Sequence, residues 1–180
     1  MQNDEVFNSL THYALEHYPD IQLKQFDPAD VIFEERVKMS CFYCARYNVC
    51  WRCPPKIPKI DYPKVFREFE NAAFIWVDMP FTKETYADVR TESSVRLHHA
   101  ILELEKVLLN QHADIYLSFI GGSCKLCKNG CGKERCNNPY MARVPLEATG
   151  INVVKTAARY GIDISFPATM HIIRIGMILW

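Results

Sequence analysis

The sequence has no excess of charge of either sign: 21 Lys and Arg balance 21 Asp and Glu over 180 residues. That balance excludes a protein whose whole surface is an electrostatic trap for nucleic acid or anionic membrane. No apolar run approaches a membrane span; the most apolar stretch, His171 to Trp180, is ten residues long and contains Arg174. There is no low-complexity tract, no Gly/Ser linker and no repeat of 20 to 50 residues, and glycine numbers only seven. Disorder, collagen and coiled coil are therefore excluded. The first residues, Met1-Gln-Asn-Asp-Glu-Val, lack the basic segment and apolar run of a secretory signal, so the expectation is a cytoplasmic chain with no membrane association.

Hydrophobic residues make up 49%, and a chain of this length buries roughly 70% of the surface its unfolded form exposes. A single domain over 1–180 is expected, with Cys-rich metal-binding insertions at 41–53 and 124–136. The first helix starts at Asn3 or Asp4, presents Val6, Leu10, Tyr13 and His17 at helical spacing, and stops at Pro19. Residues 21–26 and 31–37 read as short strands about an Asp27-Pro28 turn, and Lys64 to Asn71 as a helix. Ala73 to Met79 is β-branched and aromatic, which predicts a buried strand. From about Ser93 to Asn110, Leu97, Ile101, Leu104 and Leu108 form one apolar stripe, with Glu103, Glu105 and Lys106 off it. Asp114 to Ile120 is the next strand, which makes 73–120 a strand-helix-strand crossover. A helix over Pro145 to Tyr160, ended by Gly161, and a last strand over His171 to Trp180 follow. The fold class is an α/β (or α+β) layer sandwich, a mixed central sheet with flanking helices and both Cys-rich loops at strand ends, where such sheets place their sites.

All eight cysteines fall in two windows of 13 residues: Cys41-x2-Cys44-x5-Cys50-x2-Cys53-Pro-Pro and Cys124-x2-Cys127-x3-Cys131-x4-Cys136. In a reducing compartment such a set reads as metal ligands before disulfides. A Cys-x-x-Cys turn lets two sulfurs converge while backbone N–H groups point back at them. Structural zinc sites pair two such knuckles across a segment of roughly 12 to 20 residues. Here the gaps are five, or three and four, which suits a loop wrapped around one or two four-iron clusters. Zinc is the alternative metal, and disulfides or free thiols the third reading.

The neutral total hides a partition. Residues 36–67 carry +7 and residues 125–143 carry +4, which leaves −11 for the remainder. Four thiolates around zinc or an oxidised four-iron cluster leave a charge of about −2, which nearby cations stabilise. The same cations suit docking of an acidic redox protein, with nucleic acid a less favoured partner; nothing in the sequence fixes the oligomeric state. Phe42, Tyr43, Tyr47 and Trp51 crowd the first window, where aromatics shield a cluster, stack bases or pack locally. His98-His99 have no second ligand at i+4, so core packing or exposure outweighs metal binding. Ser123 follows Gly121-Gly122 without a nucleophile-elbow or phosphate-loop pattern. Glu147 is read as structural, near a helix start.

The run from Cys41-Phe-Tyr-Cys44 through Tyr47 and Trp51 to Cys53-Pro54-Pro55 resembles the DUF2284 family of predicted metal-binding proteins. So does Gly121-Gly122-Ser-Cys124-Lys-Leu-Cys127 through Cys131, Cys136, Pro139, Pro145 and Glu147-Ala148. The resemblance covers most of the chain and implies metal or iron-sulfur binding rather than a particular reaction. Relative to that pattern Cys50 is additional, and Pro145-Leu146-Glu147-Ala148 stands where Pro-Ser-Met-Glu-Ala is expected. The leading expectation is an electron-transfer protein holding its clusters through Cys41, Cys44, Cys50, Cys53, Cys124, Cys127, Cys131 and Cys136. A zinc-stabilised interaction module is the alternative, and an enzyme with an open-site cluster the third. No proton-transfer constellation names a substrate.

Overall fold

The computed structural model describes residues 2–113 and 115–180. The order of elements is α1 (Gln2–His17), β1 (Ile21–Phe26), α2 (Glu35–Phe42), α3 (Tyr62–Phe66), β2 (Ala72–Pro80), α4 (Tyr86–Asn110), β3 (Leu117–Ile120), β4 (Val144–Pro145), α5 (Val153–Ala158) and β5 (His171–Leu179). The five strands form one mixed sheet in the order β1-β2-β5-β3-β4. Helices cover both of its faces, as a mixed α/β layer sandwich requires.

Period-two alternation assigns the two faces. Ala73, Ile75 and Val77 of β2 point to a core completed by Val6, Leu10 and Ala14 of α1 and by Leu97, Ile101, Leu104 and Leu108 of α4. Ala72 and Phe74 point the other way, to Phe66 of α3, Leu146, Ile151 and Ala157. On the first face β5 carries Gly176, where a Cβ would lie 2.6 Å from both Ile101 Cδ1 and the Phe119 carbonyl oxygen. The absence of a side chain there lets α4 sit directly on the sheet.

Several expectations are revised. α1 already includes residues 3 and 4, so the cap expected at Asn3 or Asp4 falls within the helix, and its buried stripe runs through Ala14 instead of Tyr13 and His17. The strand expected at 31–37 is one bridge, Phe33 to Ile151, followed by α2. α3 ends at Phe66 with Arg67 as its cap. α4 begins at Tyr86, one to two turns earlier than the stripe suggested. Residues 145–160 do not form one helix: a 3-10 turn over Leu146–Thr149 ends at Gly150, whose φ of 95° breaks the run before α5. The expected start of β3 at Asp114 lies outside the described residues.

The strand-helix-strand unit is present but split. β2 and β3 run in the same direction, yet each pairs antiparallel with β5, which lies between them. The carboxyl end of β3 leads into the second cysteine window, as expected. The first window leaves a helix, since Cys41 lies in the last turn of α2. Two backbone hydrogen bonds bring it there: Glu34 N–H to the Gly150 oxygen, 2.8 Å, and Asn152 N–H to the Ile32 oxygen, 2.8 Å. Residues just before α2 are thus tied to residues just after the second window.

Candidate metal centre

The first window is a chain of tight turns. Cys44 N–H donates to the Cys41 oxygen and Cys53 N–H to the Cys50 oxygen, both at 3.1 Å, so each Cys-x-x-Cys closes on itself. Asn48 takes the left-handed conformation, φ 56°, that such a winding loop needs and asparagine tolerates. The expected N–H to sulfur contacts are present: Arg46 N–H points at Cys44 Sγ, 3.5 Å, Arg52 N–H at the Cys50 sulfur and Leu126 N–H at the Cys124 sulfur.

The second window starts where β3 ends. Glu147 Oε2 accepts the Gly122 N–H at 3.1 Å, and Gly122 has φ +72° with Arg174 Nη1 packed beneath it. Glu147 is structural, as read, but it fixes this turn rather than a helix dipole. The far end of the window is clamped to α4 by two buried contacts. His98 Nε2 donates to the Met141 oxygen at 2.9 Å, and Arg143 makes a paired contact with Glu105, 2.6 and 2.5 Å, to which Ser118 also donates. Glu105 is therefore buried and partnered, off the stripe yet not on the solvent face. His98 is a core residue whose titration burial pushes down to about 4, while His99 is exposed.

The windows dock on each other. Trp51 Nε1 donates to the Gly132 oxygen at 2.7 Å, Arg52 to the Pro139 oxygen at 2.6 Å, and Trp51 N–H to the Cys131 sulfur. Between them lies a cavity of about 380 Å³ lined by Cys50, Cys124, Cys127, Cys131 and Cys136. Cys41, Cys44 and Cys53 do not line it; Cys53 hydrogen-bonds Cys50 and lies close enough to Cys44 and Cys41 for their charges to act on it. All eight thiols are free, without disulfides. Among the described residues no three His, Cys, Asp or Glu side chains are already gathered for a single ion.

The electrostatics favour an anionic occupant. Arg46, Arg52, Arg90, Lys125 and Lys128 line the cavity, and no Asp or Glu among the described residues does. Burial, with Arg174, Arg90 and Arg46 nearby, pulls Lys125 down to about 8. Arg52 Nε and Arg174 Nε are buried donors with no protein partner, the state expected of groups awaiting an acceptor. Burial pushes Cys124 up to about 11. Cys50 titrates below an ordinary thiol because Cys53, the Arg52 N–H and Cys131 hydrogen-bond to it and Arg46 lies near, and its partner Cys53 titrates above. Sulfur donors, cations and orphaned N–H groups fit a thiolate-bound metal.

Sequence counting by windows missed Arg90 of α4 and Arg174 of β5, which the fold carries to the site. Arg174 had a signal, being the one charge in the most apolar stretch; Arg90 had none. Conversely, Arg36, Lys38 and Arg143 pair with Glu34, Glu35 and Glu105, so the local basic count overstated what faces the thiols. Of the window aromatics, Trp51 is the clasp described above, with Lys56 Nζ 4.2 Å over its ring. Phe42 and Tyr43 are exposed and, with Tyr47, form an edge-to-face group at the surface.

No helix among the described residues is long and apolar enough to cross a membrane. No curated protein and no solved structure matches the chain. A family model described as "Predicted metal-binding protein (DUF2284)" matches residues 24–180, a span that contains both windows, the clamps on α4 and all of the sheet but the first half of β1, and the chain accordingly belongs to that metal-binding family.

Proposed function

We propose that this metal-binding protein carries one or two four-iron clusters and passes single electrons in a reducing cytoplasm to an acidic protein partner. The observation that carries the reading is the cavity of about 380 Å³ with five cysteines and five cations on its wall. A structural zinc draws four sulfurs to about 2.3 Å from one point, whereas these thiols surround a space. When bound, a cluster supplies the one-electron chemistry, and the chain supplies ligands, charge and burial. Cys124, Cys127, Cys131 and Cys136 would hold one centre and Cys41, Cys44 and Cys53 the other. Arg46, Arg52 and Lys125 offset the thiolate charge, and the exposed Lys128, Lys133 and Arg135 offer a face to an acidic partner.

Protein purified without oxygen should be brown and contain iron and acid-labile sulfide. Colourless protein with stoichiometric zinc overturns the reading. A variant with Cys124, Cys127, Cys131 and Cys136 all changed to Ala should retain about half the iron if the centres are independent. The exposed Phe42 and Tyr43 rings, with the half-buried Tyr47 next to Arg46 in the chain, favour a second reading, a zinc-stabilised module that stacks nucleic acid. It requires RNA or DNA binding that weakens steeply with salt, and undetectable binding at low salt removes it.

A further inference from the structure

Cys50 touches both windows: it bonds to Cys53 in its own and faces the cavity of the other. It is the most enclosed of the eight thiols, 2% exposed, and of the first window's four it is the one on the cavity wall with Cys124, Cys127, Cys131 and Cys136. Its sulfur is hydrogen-bonded to Cys53 within its own window and to Cys131 across the interface. The next two residues hold it there: Trp51 reaches Cys131 and Gly132, and Arg52 reaches Pro139. Three consecutive residues of the first loop thus engage the second. Cys53, three residues on, closes its turn on the Cys50 carbonyl and feels the charges of Cys44 and Cys41, which do not reach the cavity wall.

We propose that Cys50 is a ligand of the centre held by Cys124, Cys127 and Cys131, so that the two windows share one metal site. Cys50 then takes the place given above to Cys136, because the charges of Cys50, Cys131 and Cys127 are the ones that act on Cys124; of the remaining four thiols, Cys41, Cys44 and Cys53 form a three-cysteine site and Cys136 stays on the cavity wall as a fifth, non-ligating thiol. The chemistry is consistent: a cluster or ion of this type takes four thiolates, and five line the cavity, of which Cys50 is the most buried. A crossing ligand also accounts for the extensive docking between the windows, because a centre with ligands from both loops fixes their relative position. The inference rests on the metal-binding reading but not on the identity of the metal.

The test uses the full chain, reduced and metal-free, titrated with cobalt(II) under nitrogen and followed by its sulfur-to-cobalt absorption, then reconstituted with iron and sulfide and assayed for both. Cys50→Ser should lose the same share of signal and metal as Cys124→Ser. The double variant Cys50→Ser/Cys124→Ser should be no worse than Cys124→Ser, and Cys50→Ser/Cys41→Ser should lose both shares. Cys50→Ala and the circular dichroism of each metal-free variant separate ligand loss from misfolding. Wild-type stoichiometry in both folded Cys50 variants overturns the inference. So does a Cys50→Ser/Cys41→Ser variant that equals Cys41→Ser, since Cys50 would then belong to the first centre. Wild-type protein that binds neither cobalt nor iron overturns the metal reading itself, a result distinct from either.

Discussion

Replacing Arg143 with methionine should be among the most damaging single changes outside the cysteines. Its guanidinium meets both oxygens of Glu105, whose side chain is 5% exposed, while Arg143 itself is 21% exposed. Removing the arginine leaves a carboxylate in the core with the Ser118 hydroxyl as its remaining partner. Breaking a buried pair on one side costs about 3–5 kcal/mol, a large part of the roughly 5–15 kcal/mol that holds a domain folded. With a urea slope of about 2 kcal/mol/M, the midpoint should fall by about 1.5–2.5 M. The assay is urea unfolding of the reduced, metal-free protein followed by far-ultraviolet circular dichroism. Glu105→Gln should cost less, because Arg143 retains solvent and the Tyr140 oxygen at 2.9 Å. Glu105→Leu/Arg143→Met should recover most of the loss, since neither charge is then buried alone. An Arg143→Met midpoint within about 0.5 M of wild type, or a double variant no better than the single, refutes the assignment.

Three further outcomes follow from the packing. His98 is buried neutral and titrates near 4 instead of its usual 6.5; the unfolded chain therefore takes up the extra proton between those values, and stability should fall by about 3 kcal/mol as pH drops from 6.5 to 4. His98→Gln should flatten that part of the stability–pH curve; an unchanged slope contradicts the buried, neutral state. Gly176→Ala should destabilise by about 1–3 kcal/mol, because the new Cβ meets the Phe119 oxygen and Ile101 at 2.6 Å and the backbone oxygen has little room to move; a neutral effect by thermal melting shows that α4 sits farther from β5. Trp51→Phe keeps the ring and removes the donor to Gly132, so reconstituted protein should release its metal to a chelator faster than wild type, while an equal rate shows that the clasp does not hold the site closed.

The elements that were legible are those whose signal is local. The stripe Leu97, Ile101, Leu104, Leu108 is wholly buried as its spacing required, and the β-branched run at 73–79 is a central strand. The misread segments are those where tertiary contacts outvoted propensity. Residues 31–37 alternate too poorly to be a strand and become a bridge plus a helix because residues 32–34 bond to 150–152. Residues 145–160 look helical until Gly150 turns left-handed between the 3-10 turn and α5. Glu105 reads as solvent-facing on a helical wheel, and its partner, 38 residues away, is invisible to any local pattern.

The sequence by itself determined that the chain has two cysteine windows with basic neighbours and belongs among metal-binding proteins, because ligand type, spacing and local charge are properties of short segments. The sheet order, with β5 inserted between β2 and β3, the convergence of Arg90, Cys50 and the second window on one cavity, and the placing of Arg174 beside Gly122 and Lys125 were decided by the tertiary structure alone. These are contacts between residues tens of positions apart, set by which faces the strands and helices must bury together, and no local period or spacing encodes them.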